Sequence, residues 1–255
     1  MAKAKKNALT TKATKTTTAN NTNNNNNNNS NTTASFPKLS TKKELQITEL
    51  EPNQIYIIED FFNKKECEQV INYFNTHLPP IPPNSLIPKS GEAFRSNDRQ
   101  SLKSKELADI LWRMGLSQLC VQQPDFFQAS LPRKPCGLNS NIRIYRYQLG
   151  QKFEAHYDDS VKDDITGLWT DWTLLIYLND DGLKGGETCF YKNHDDGNNQ
   201  KQKKKKKKEP TPPIIIQPKQ GLALLHRHGQ HCLLHEALEV TQGVKWVLRS
   251  DVLIG

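Results

Sequence analysis

The apolar positions along the chain predict an alternation of short strands with two early helices. Residues 54–62, QIYIIEDFF, are β-branched and aromatic, which is typical of a strand. Apolar residues then recur at helical spacing in two segments, 64–77 and 105–120, and a capping residue precedes each one. Residues 84–100 between the helices predict a loop. Its charged part, 94–99, fits a salt-bridged surface turn better than a substrate loop over a site.

Beyond Pro135 the pattern changes to that of strands separated by glycine and proline turns. The predicted strands are Ile142–Tyr147, Phe153–Asp158, Trp172–Leu178, Gly185–Phe190, Ile214–Ile216, Leu222–His226, Leu233–Val240 and Val244–Leu253. Two helices followed by about eight short strands indicate an α+β fold whose strands form a sandwich or barrel.

The excess of positive charge is concentrated in two low-complexity segments. Residues 1–43 contain eight lysines and no acidic residue, and 201–208 contain seven more lysines. Without these fifteen, 20 basic residues stand against 27 acidic ones, a formal charge of −7. We therefore expect a disordered tail over 1–43, a folded domain over 44–255 and a solvated loop insertion at about 192–211. The acidic body disfavours nucleic-acid binding, although the lysine run could also serve in nuclear import.

The candidate chemistry begins with His156 and Asp158, which are separated by one residue. A strand directs alternate side chains to one face, so the imidazole and the carboxylate point to the same place. Together they form two thirds of the facial triad that binds non-heme Fe(II). The third ligand would come from the group His226, His228, His231 and His235.

Two cations follow His235 on one later strand, and either could bind a dicarboxylate cosubstrate. Lys245 lies ten residues downstream, and Arg249 lies four residues further on the same strand face. A carboxylate deep in an apolar barrel needs a fixed positive partner. From spacing alone either residue could serve, and Arg249 could instead form an ion pair with Asp251.

Several motifs in order resemble the Fe(II)/2-oxoglutarate-dependent dioxygenases, in their prolyl 4-hydroxylase-like branch. They are YRYQLGQKFEAHYD, WTLLIYLND, GGETCFY, the turn of Ile216, Pro218 and Gly221, and HEALEVTQGVKW. The resemblance extends from about residue 54 to the C-terminus. It implies a double-stranded β-helix, or jelly-roll, core with N-terminal packing helices.

The resemblance also implies roles for individual residues. His156, Asp158 and His235 would bind iron and form the catalytic centre, and Lys245 would bind the distal carboxylate of 2-oxoglutarate. Tyr177 matches a tyrosine that hydrogen-bonds this carboxylate, and Tyr147 matches an aromatic position that lines the site. The remaining histidines would be surface or supporting residues, although one of them could line the pocket.

The expected activity is hydroxylation of a prolyl or other protein side chain with Fe(II), 2-oxoglutarate, O2 and ascorbate, releasing succinate and CO2. The alternatives are a small-molecule hydroxylase of the same superfamily and a barrel that binds without turnover. No apolar run is long enough to cross a membrane, and five cysteines without a C-x-x-C pair indicate reduced thiols. We therefore expect an intracellular protein, cytoplasmic or nuclear, that is not membrane-bound.

Overall fold

A computed structural model describes residues 36–75, 92–122, 132–192 and 213–255 of the chain. The chain divides into Met1–Ala34 and Ser35–Gly255, and all described residues belong to the second unit. Most of the expected tail and of the insertion, including the lysine run, therefore lies outside the described residues. No helix among the described residues is long and apolar enough to cross a membrane.

The described elements are fourteen strands and three α-helices. The helices are α1 (Lys64–Asn75), α2 (Lys105–Leu111) and α3 (Ser117–Gln122), with a π-type turn at Trp112–Leu116 and a 3-10 turn at Gly229–His231. The strands are β1 (Ile47–Glu51), β2 (Ile55–Ile58), β3 (Asp98–Lys103), β4 (Pro135–Leu138), β5 (Asn141–Tyr147), β6 (Phe153–His156), β7 (Trp169–Tyr177), β8 (Lys184–Gly185), β9 (Thr188–Tyr191), β10 (Ile214–Ile216), β11 (Ala223–Arg227), β12 (Leu234–Ala237), β13 (Val240–Gln242) and β14 (Lys245–Ile254).

Two antiparallel sheets form the jelly roll. The larger sheet has the order β1–β2–β11–β7–β14–β5–β3, with β4 paired to β14, and the smaller has the order β10–β9–β12–β6. Tyr147, Tyr177 and Val247 of the larger sheet share one buried cluster with Phe190 and Ala237 of the smaller. The sheets therefore pack face to face, as the predicted double-stranded β-helix requires.

The central strand of the larger sheet, β14, is buried on both faces. All ten residues of β14 are buried, although four of them are polar or charged. Trp246 and Leu248 lie in the cluster that contains the helices, whereas Val247 lies in the cluster between the sheets. Because strand side chains alternate, the helices cover one face and leave the odd-numbered positions of β14 for the site.

Four predicted elements differ from the structure, and one of them is the strand 185–190, which is divided between β8 and β9. Part of the expected loop 84–100 forms β3, because Asp98–Lys103 pairs along its whole length with β5. The expected helix 105–120 is interrupted by the π-type turn, where a Cβ on Gly115 would lie 2.4 Å from Leu45 Cδ1. The expected strand 233–240 is two strands, β12 and β13, which pair with different neighbours.

Residues near the start of the described chain pack onto the helices. Phe36 makes edge contacts with Tyr73 and Phe74, and Lys42 forms a 2.7 Å salt bridge with Glu66. The packed body thus includes residues 36–43, which belong to the segment for which the sequence predicts a tail.

Candidate active site

Strand pairing brings the two histidines of the expected triad together. His156 at the end of β6 pairs directly with His235 on β12, and their ring centroids are 4.3 Å apart. Asp158 follows β6 by two residues, and its backbone N–H donates to Cys232 Sγ while Gly229 N–H donates to its carbonyl. One ligand atom from each of His156, Asp158 and His235 lies within 4.8 Å of the others.

Backbone hydrogen bonds fix the tautomer of both histidines. Nδ1 of His156 lies 2.8 Å from the carbonyl oxygen of Glu154, and Nδ1 of His235 lies 2.9 Å from that of Leu233. A carbonyl only accepts, so in the neutral ring each Nδ1 carries the proton and each Nε2 presents a lone pair. These Nε2 atoms lie 3.8 and 3.6 Å from oxygens of Asp158. This donor set fits a divalent metal ion, because neutral imidazoles and a carboxylate are directed to one point.

A network on the opposite side holds the carboxylate of Asp158. Arg249 Nη1 donates to its Oδ1 at 3.0 Å, and the hydroxyl of Thr173 donates to its Oδ2 at 2.9 Å. Arg249 also binds Asp251 through Nε and Nη2 at 3.2 and 3.1 Å. The ion pair with Asp251 that the sequence suggests is present, but the contact with Asp158 has no local sequence signal because 91 residues separate the partners.

Electrostatics in the ion-free protein favour an ionised Asp158. Burial opposes its charge, but Arg249 and the histidines lower the pKa of Asp158 well below its usual range. Burial also opposes protonation of His235, yet Asp158 and Cys232 outweigh it and raise the pKa of His235 to about 9. Burial and the neighbouring His235 lower the pKa of His156 to about 3. A cation in the site would replace the proton shared around Asp158.

Lys245 is buried at the inner end of the site. Its Nζ donates to the carbonyl oxygen of Gly186 at 2.5 Å and lies 4.9 and 5.4 Å from the ring centroids of Tyr147 and Tyr177. No carboxylate among the described residues forms a salt bridge with it. Burial lowers the pKa of Lys245 to about 7, which an anionic ligand would reverse.

The two expected tyrosines flank Lys245 in different ways. Lys245 is directly opposite Tyr147 across β5 and β14, which explains the contact of the ammonium with that ring. The hydroxyl of Tyr177 is 2.7 Å from the hydroxyl of Thr188, and both groups are buried. Tyr147 lines the inner cavity, whereas Tyr177 supports it through Thr188.

The other histidines divide into buried and exposed positions. His226 is 1% exposed, lines the inner cavity, and has an Nε2 without a hydrogen-bond partner, 3.6 Å from Asp158 Oδ2. His228 is equally buried and bonds to Thr173 through Nδ1 at 3.0 Å. His231 is exposed. His226, Cys232 and His235 form a second group of close ligand atoms, so His226 is the histidine that sequence reasoning undervalued.

Two connected spaces lead to this centre. The inner cavity has a volume of about 40 Å³ and is lined by Lys245, Tyr147, Thr188 and the three expected iron ligands, among others. The outer cleft has a volume of about 990 Å³ and reaches two of these ligands, His156 and Asp158, from the surface. A buried cation thus lies at the inner end of a site that is open at the other end.

Two histidines and a carboxylate inside a jelly roll define the class of non-heme Fe(II) oxygenases. The family model of the 2OG-Fe(II) oxygenase superfamily matches residues 142–250. Residues 142–250 thus form a 2OG-Fe(II) oxygenase domain that is prolyl 4-hydroxylase-like, in agreement with the predicted family and jelly-roll fold. The cofactors of the family are Fe(II) and 2-oxoglutarate, and ascorbate is typical of prolyl 4-hydroxylases.

Individual relatives agree with this placement. The chain is 24% identical over 199 residues to probable prolyl 4-hydroxylase 3 of Arabidopsis thaliana, covering 75% of this chain and 66% of that protein. It is 27% identical over 211 residues to prolyl 4-hydroxylase 13 of the same plant, covering 76% and 69%. The prolyl hydroxylase of Trichoplax adhaerens, solved with a hypoxia inducible factor peptide, has a TM-score of 0.50 at 15% identity, covering 79% and 84%. The chain thus spans about two thirds of the length of the plant relatives.

Proposed function

We propose that the protein is a Fe(II)- and 2-oxoglutarate-dependent dioxygenase that hydroxylates a prolyl or other side chain of a protein, with succinate and CO2 as coproducts. One observation carries the proposal. The site combines His156, Asp158 and His235, whose ligand atoms lie within 4.8 Å of one another, with the unpaired buried ammonium of Lys245. A metal ion and an anionic cosubstrate would supply the two kinds of charge that this site lacks.

In this proposal His156, Asp158 and His235 hold the iron. The Nδ1 hydrogen bonds to backbone carbonyls keep both Nε2 atoms directed at the metal position. Bound Fe(II) supplies the oxidative chemistry together with 2-oxoglutarate and O2. The protein contributes position, a dry interior and the charge of Asp158, which Arg249 keeps ionised.

Lys245 is the proposed partner of the distal carboxylate of 2-oxoglutarate. Arg249 is the weaker candidate, because Asp158, Asp251 and Thr173 already accept its hydrogen bonds. We assign Arg249 the positioning of Asp158 instead. Tyr147 would contact the cosubstrate beside Lys245, and Tyr177 would act through the hydroxyl of Thr188.

The outer cleft supports a protein substrate. Its volume of about 990 Å³ and its position beside His156 and Asp158 leave room for an extended segment of a peptide chain. The relatives that bear the name prolyl 4-hydroxylase support proline as the first residue to test. We also propose that the catalytic domain spans about 44–255 and that the protein acts inside the cell, with five unpaired cysteines as support.

The test is an anaerobic titration with Fe(II) and 2-oxoglutarate, followed in air by succinate assay and a proteome-wide search for products one oxygen atom heavier. We expect metal-dependent binding of 2-oxoglutarate, and its loss in His156→Ala and His235→Ala. His231→Ala is the matched control, because this histidine is exposed and is not among the grouped ligand residues. Wild-type protein that binds neither cofactor, or a His235→Ala variant with full activity, would refute the assignment.

A further inference from the structure

Residues 94–99, FRSNDR, form one wall of the outer cleft rather than a separate surface turn. Glu154 N–H donates to the carbonyl of Phe94 at 2.9 Å, and Ser96 N–H donates to that of Lys152 at 3.1 Å. The segment thereby runs along the edge of β6, beside His156, before it enters β3. Arg95 and Arg99 of this segment both line the cleft.

The aromatic ring of Phe153 lies between Arg95 and the proposed iron ligand His156. Its guanidinium carbon lies 4.4 Å from the ring centroid of Phe153, whose ring stacks on His156 at 3.5 Å between centroids. This cation–π contact holds the side chain without neutralising its charge. Arg95 thus presents a positive charge at the rim, close to where a substrate must enter.

Arg99 occupies the row of the sheet that points into the site. It is directly opposite Tyr145, which is in turn opposite Val247, and both of these residues line the inner cavity. Part of the side chain is exposed at the cleft and part is covered by its neighbours. Partial burial, together with the like charges of Arg95, Arg143 and Arg249, lowers the pKa of Arg99. The cleft at Arg99 therefore has a positive potential that an anion would relieve.

The other two arginines of the cleft already have acidic partners. Arg143 pairs with Asp251 at 3.2 Å, and Arg249 pairs with Asp251 and Asp158. Within the described ranges, neither Arg95 nor Arg99 has a carboxylate at salt-bridge distance. Glu92 and Asp159 also line the cleft but are exposed and form no salt bridge with them. Among the described residues, these two guanidinium groups at the entrance therefore have no acidic partner.

We propose that the protein substrate is an acidic segment, and that Arg95 and Arg99 bind the Asp or Glu side chains that flank the oxidised residue. This inference rests on the proposed function. A peptide fits better than a nucleic acid because the same cleft is lined by Phe153, Tyr157 and Val161, which suit a mixed apolar and acidic chain. Guanidinium groups bind carboxylates with two parallel hydrogen bonds, which gives both affinity and register.

The test measures binding of fluorescent peptides to the full chain with Fe(II) and 2-oxoglutarate under anaerobic conditions, and then hydroxylation in air by mass spectrometry. Three matched series carry Asp/Glu, Asn/Gln or Lys around a central residue that includes proline. We expect the acidic series to bind about tenfold more tightly than the amide series, as a charge-assisted contact at a partly exposed site allows. The preference should weaken as salt rises.

Charge reversal distinguishes recognition from general stability. Arg99→Glu and Arg95→Glu should each abolish the acidic preference, and the double variant should favour the lysine series. Arg113→Glu is the matched control, because this arginine is exposed on the π-type turn and does not line the cleft. It should retain the wild-type preference.

Different results would refute the acidic-substrate inference and the proposed dioxygenase function. Binding without an acidic preference, a preference unchanged by both reversals, or tighter binding of a single-stranded oligonucleotide would overturn the inference and leave the dioxygenase assignment in place. Absence of both 2-oxoglutarate binding and succinate formation would overturn the proposed function, and the inference with it.

Discussion

At the scale of single residues, Lys245 shows how the fold prepares a site for an anion. The strand that carries it is wholly buried, and within the described ranges the ammonium contacts a backbone carbonyl and two aromatic rings but no carboxylate. An ammonium in such surroundings is costly unless a ligand provides the opposite charge. This cost is the reason that Lys245 can discriminate for a dicarboxylate.

Removing the charge should therefore weaken cosubstrate binding. We expect Lys245→Ala to raise the dissociation constant of 2-oxoglutarate by about 10- to 150-fold, the equivalent of about 1.5–3 kcal/mol for a charge-assisted contact. Lys245→Arg should retain part of the affinity, because the charge remains in a differently shaped group. The measurement is anaerobic calorimetric titration. Lys219→Ala is the control, since it removes only an exposed pair with Glu59, and equal constants in Lys245→Ala and wild type would exclude the role.

The lowered pKa of Lys245, about 7, adds a pH dependence with a definite sign. Below pH 7 the lysine is already charged and the affinity for 2-oxoglutarate should be flat. Above pH 7 binding must take up a proton, so the dissociation constant should rise by up to tenfold per pH unit until the ligand-bound form loses its proton. Titrations between pH 6 and 9 with saturating metal test this. In Lys245→Arg this component should vanish, and an identical slope there would assign it to another group.

Arg249 should act on the metal rather than on the cosubstrate. Without it, Asp158 loses a 3.0 Å charged hydrogen bond and the main interaction that lowers its pKa. We expect Arg249→Ala to weaken Mn(II) binding by about 10- to 100-fold, as is usual when the support of a metal ligand is removed. Arg143→Ala is the matched control, because Arg143 pairs with Asp251 but does not contact Asp158. If Arg249→Ala leaves the Mn(II) affinity unchanged and strongly raises the dissociation constant of 2-oxoglutarate, then Arg249 rather than Lys245 binds the cosubstrate.

The sequence could identify residues that lie close to one another along the chain, and it could not identify contacts between residues on distant strands. Spacing indicated His156 with Asp158, and it also indicated Lys245 ten residues after His235. The support that Asp158 receives from Arg249 and Thr173 depends on the register of β14 against β7, where Arg249 lies opposite Leu175 and Asp251 opposite Thr173. The pairing register of two strands leaves no signal in the local sequence, so the sequence did not decide the roles of His226 and Arg249.

At the scale of elements, glycine turns hold the strands that carry the site. Gly221 has a φ of +85°, and a Cβ there would lie 2.1 Å from the carbonyl oxygen of Phe62. Its N–H donates to Tyr177 and its carbonyl accepts from Phe62, so it joins the ends of β2 and β7 at the start of β11. The sequence revealed the turn through Pro218 and Gly221, but not the close approach of a third segment.

Gly221→Ala should consequently destabilise the protein more than the backbone conformation alone explains. Gly150 provides a matched control, because its φ is +78° while a Cβ there would meet nothing within 4 Å. We expect Gly150→Ala to cost about 1–2 kcal/mol, the usual cost of a left-handed non-glycine residue, and Gly221→Ala to cost clearly more. Urea unfolding of both variants gives the comparison. Equal losses would show that the chain around Phe62 relaxes without cost.

Helices and strands were predicted reliably where a long segment shows a regular apolar pattern. The prediction failed where a segment becomes a strand or a turn because of its contacts with distant parts of the chain. The strand over 244–253 and the helix over 64–77 correspond to β14 and α1 within a few residues. In contrast, β3 has the polar sequence DRQSLK and exists because β5 offers its edge. The π-type turn arises because residues 42–45 pack against Gly115, a contact about 70 positions away in sequence that no periodicity shows.

At the scale of the whole molecule, the smaller sheet continues on both sides of the lysine-rich insertion. Strands β9 and β10 are antiparallel, and Ile214 lies opposite Phe190. The described chain therefore reaches residue 192 and resumes at residue 213 with the two strand ends already paired. A hairpin turn of a few residues is enough to connect such ends.

Replacing residues 193–212 by Asn-Gly should thus preserve both the fold and the active site. The pairing that positions His235 runs from β12 to Phe190 and Tyr191 of β9, and it ends before the replaced segment. We expect the melting temperature and the dissociation constant of 2-oxoglutarate to stay close to wild type. A matched variant with Ile216→Ala, which removes a buried side chain of β10, should lose about 2–4 kcal/mol of stability. If the shortened chain is as unstable as Ile216→Ala, the insertion packs on the sheet. If the shortened chain loses only peptide hydroxylation, the insertion takes part in substrate binding.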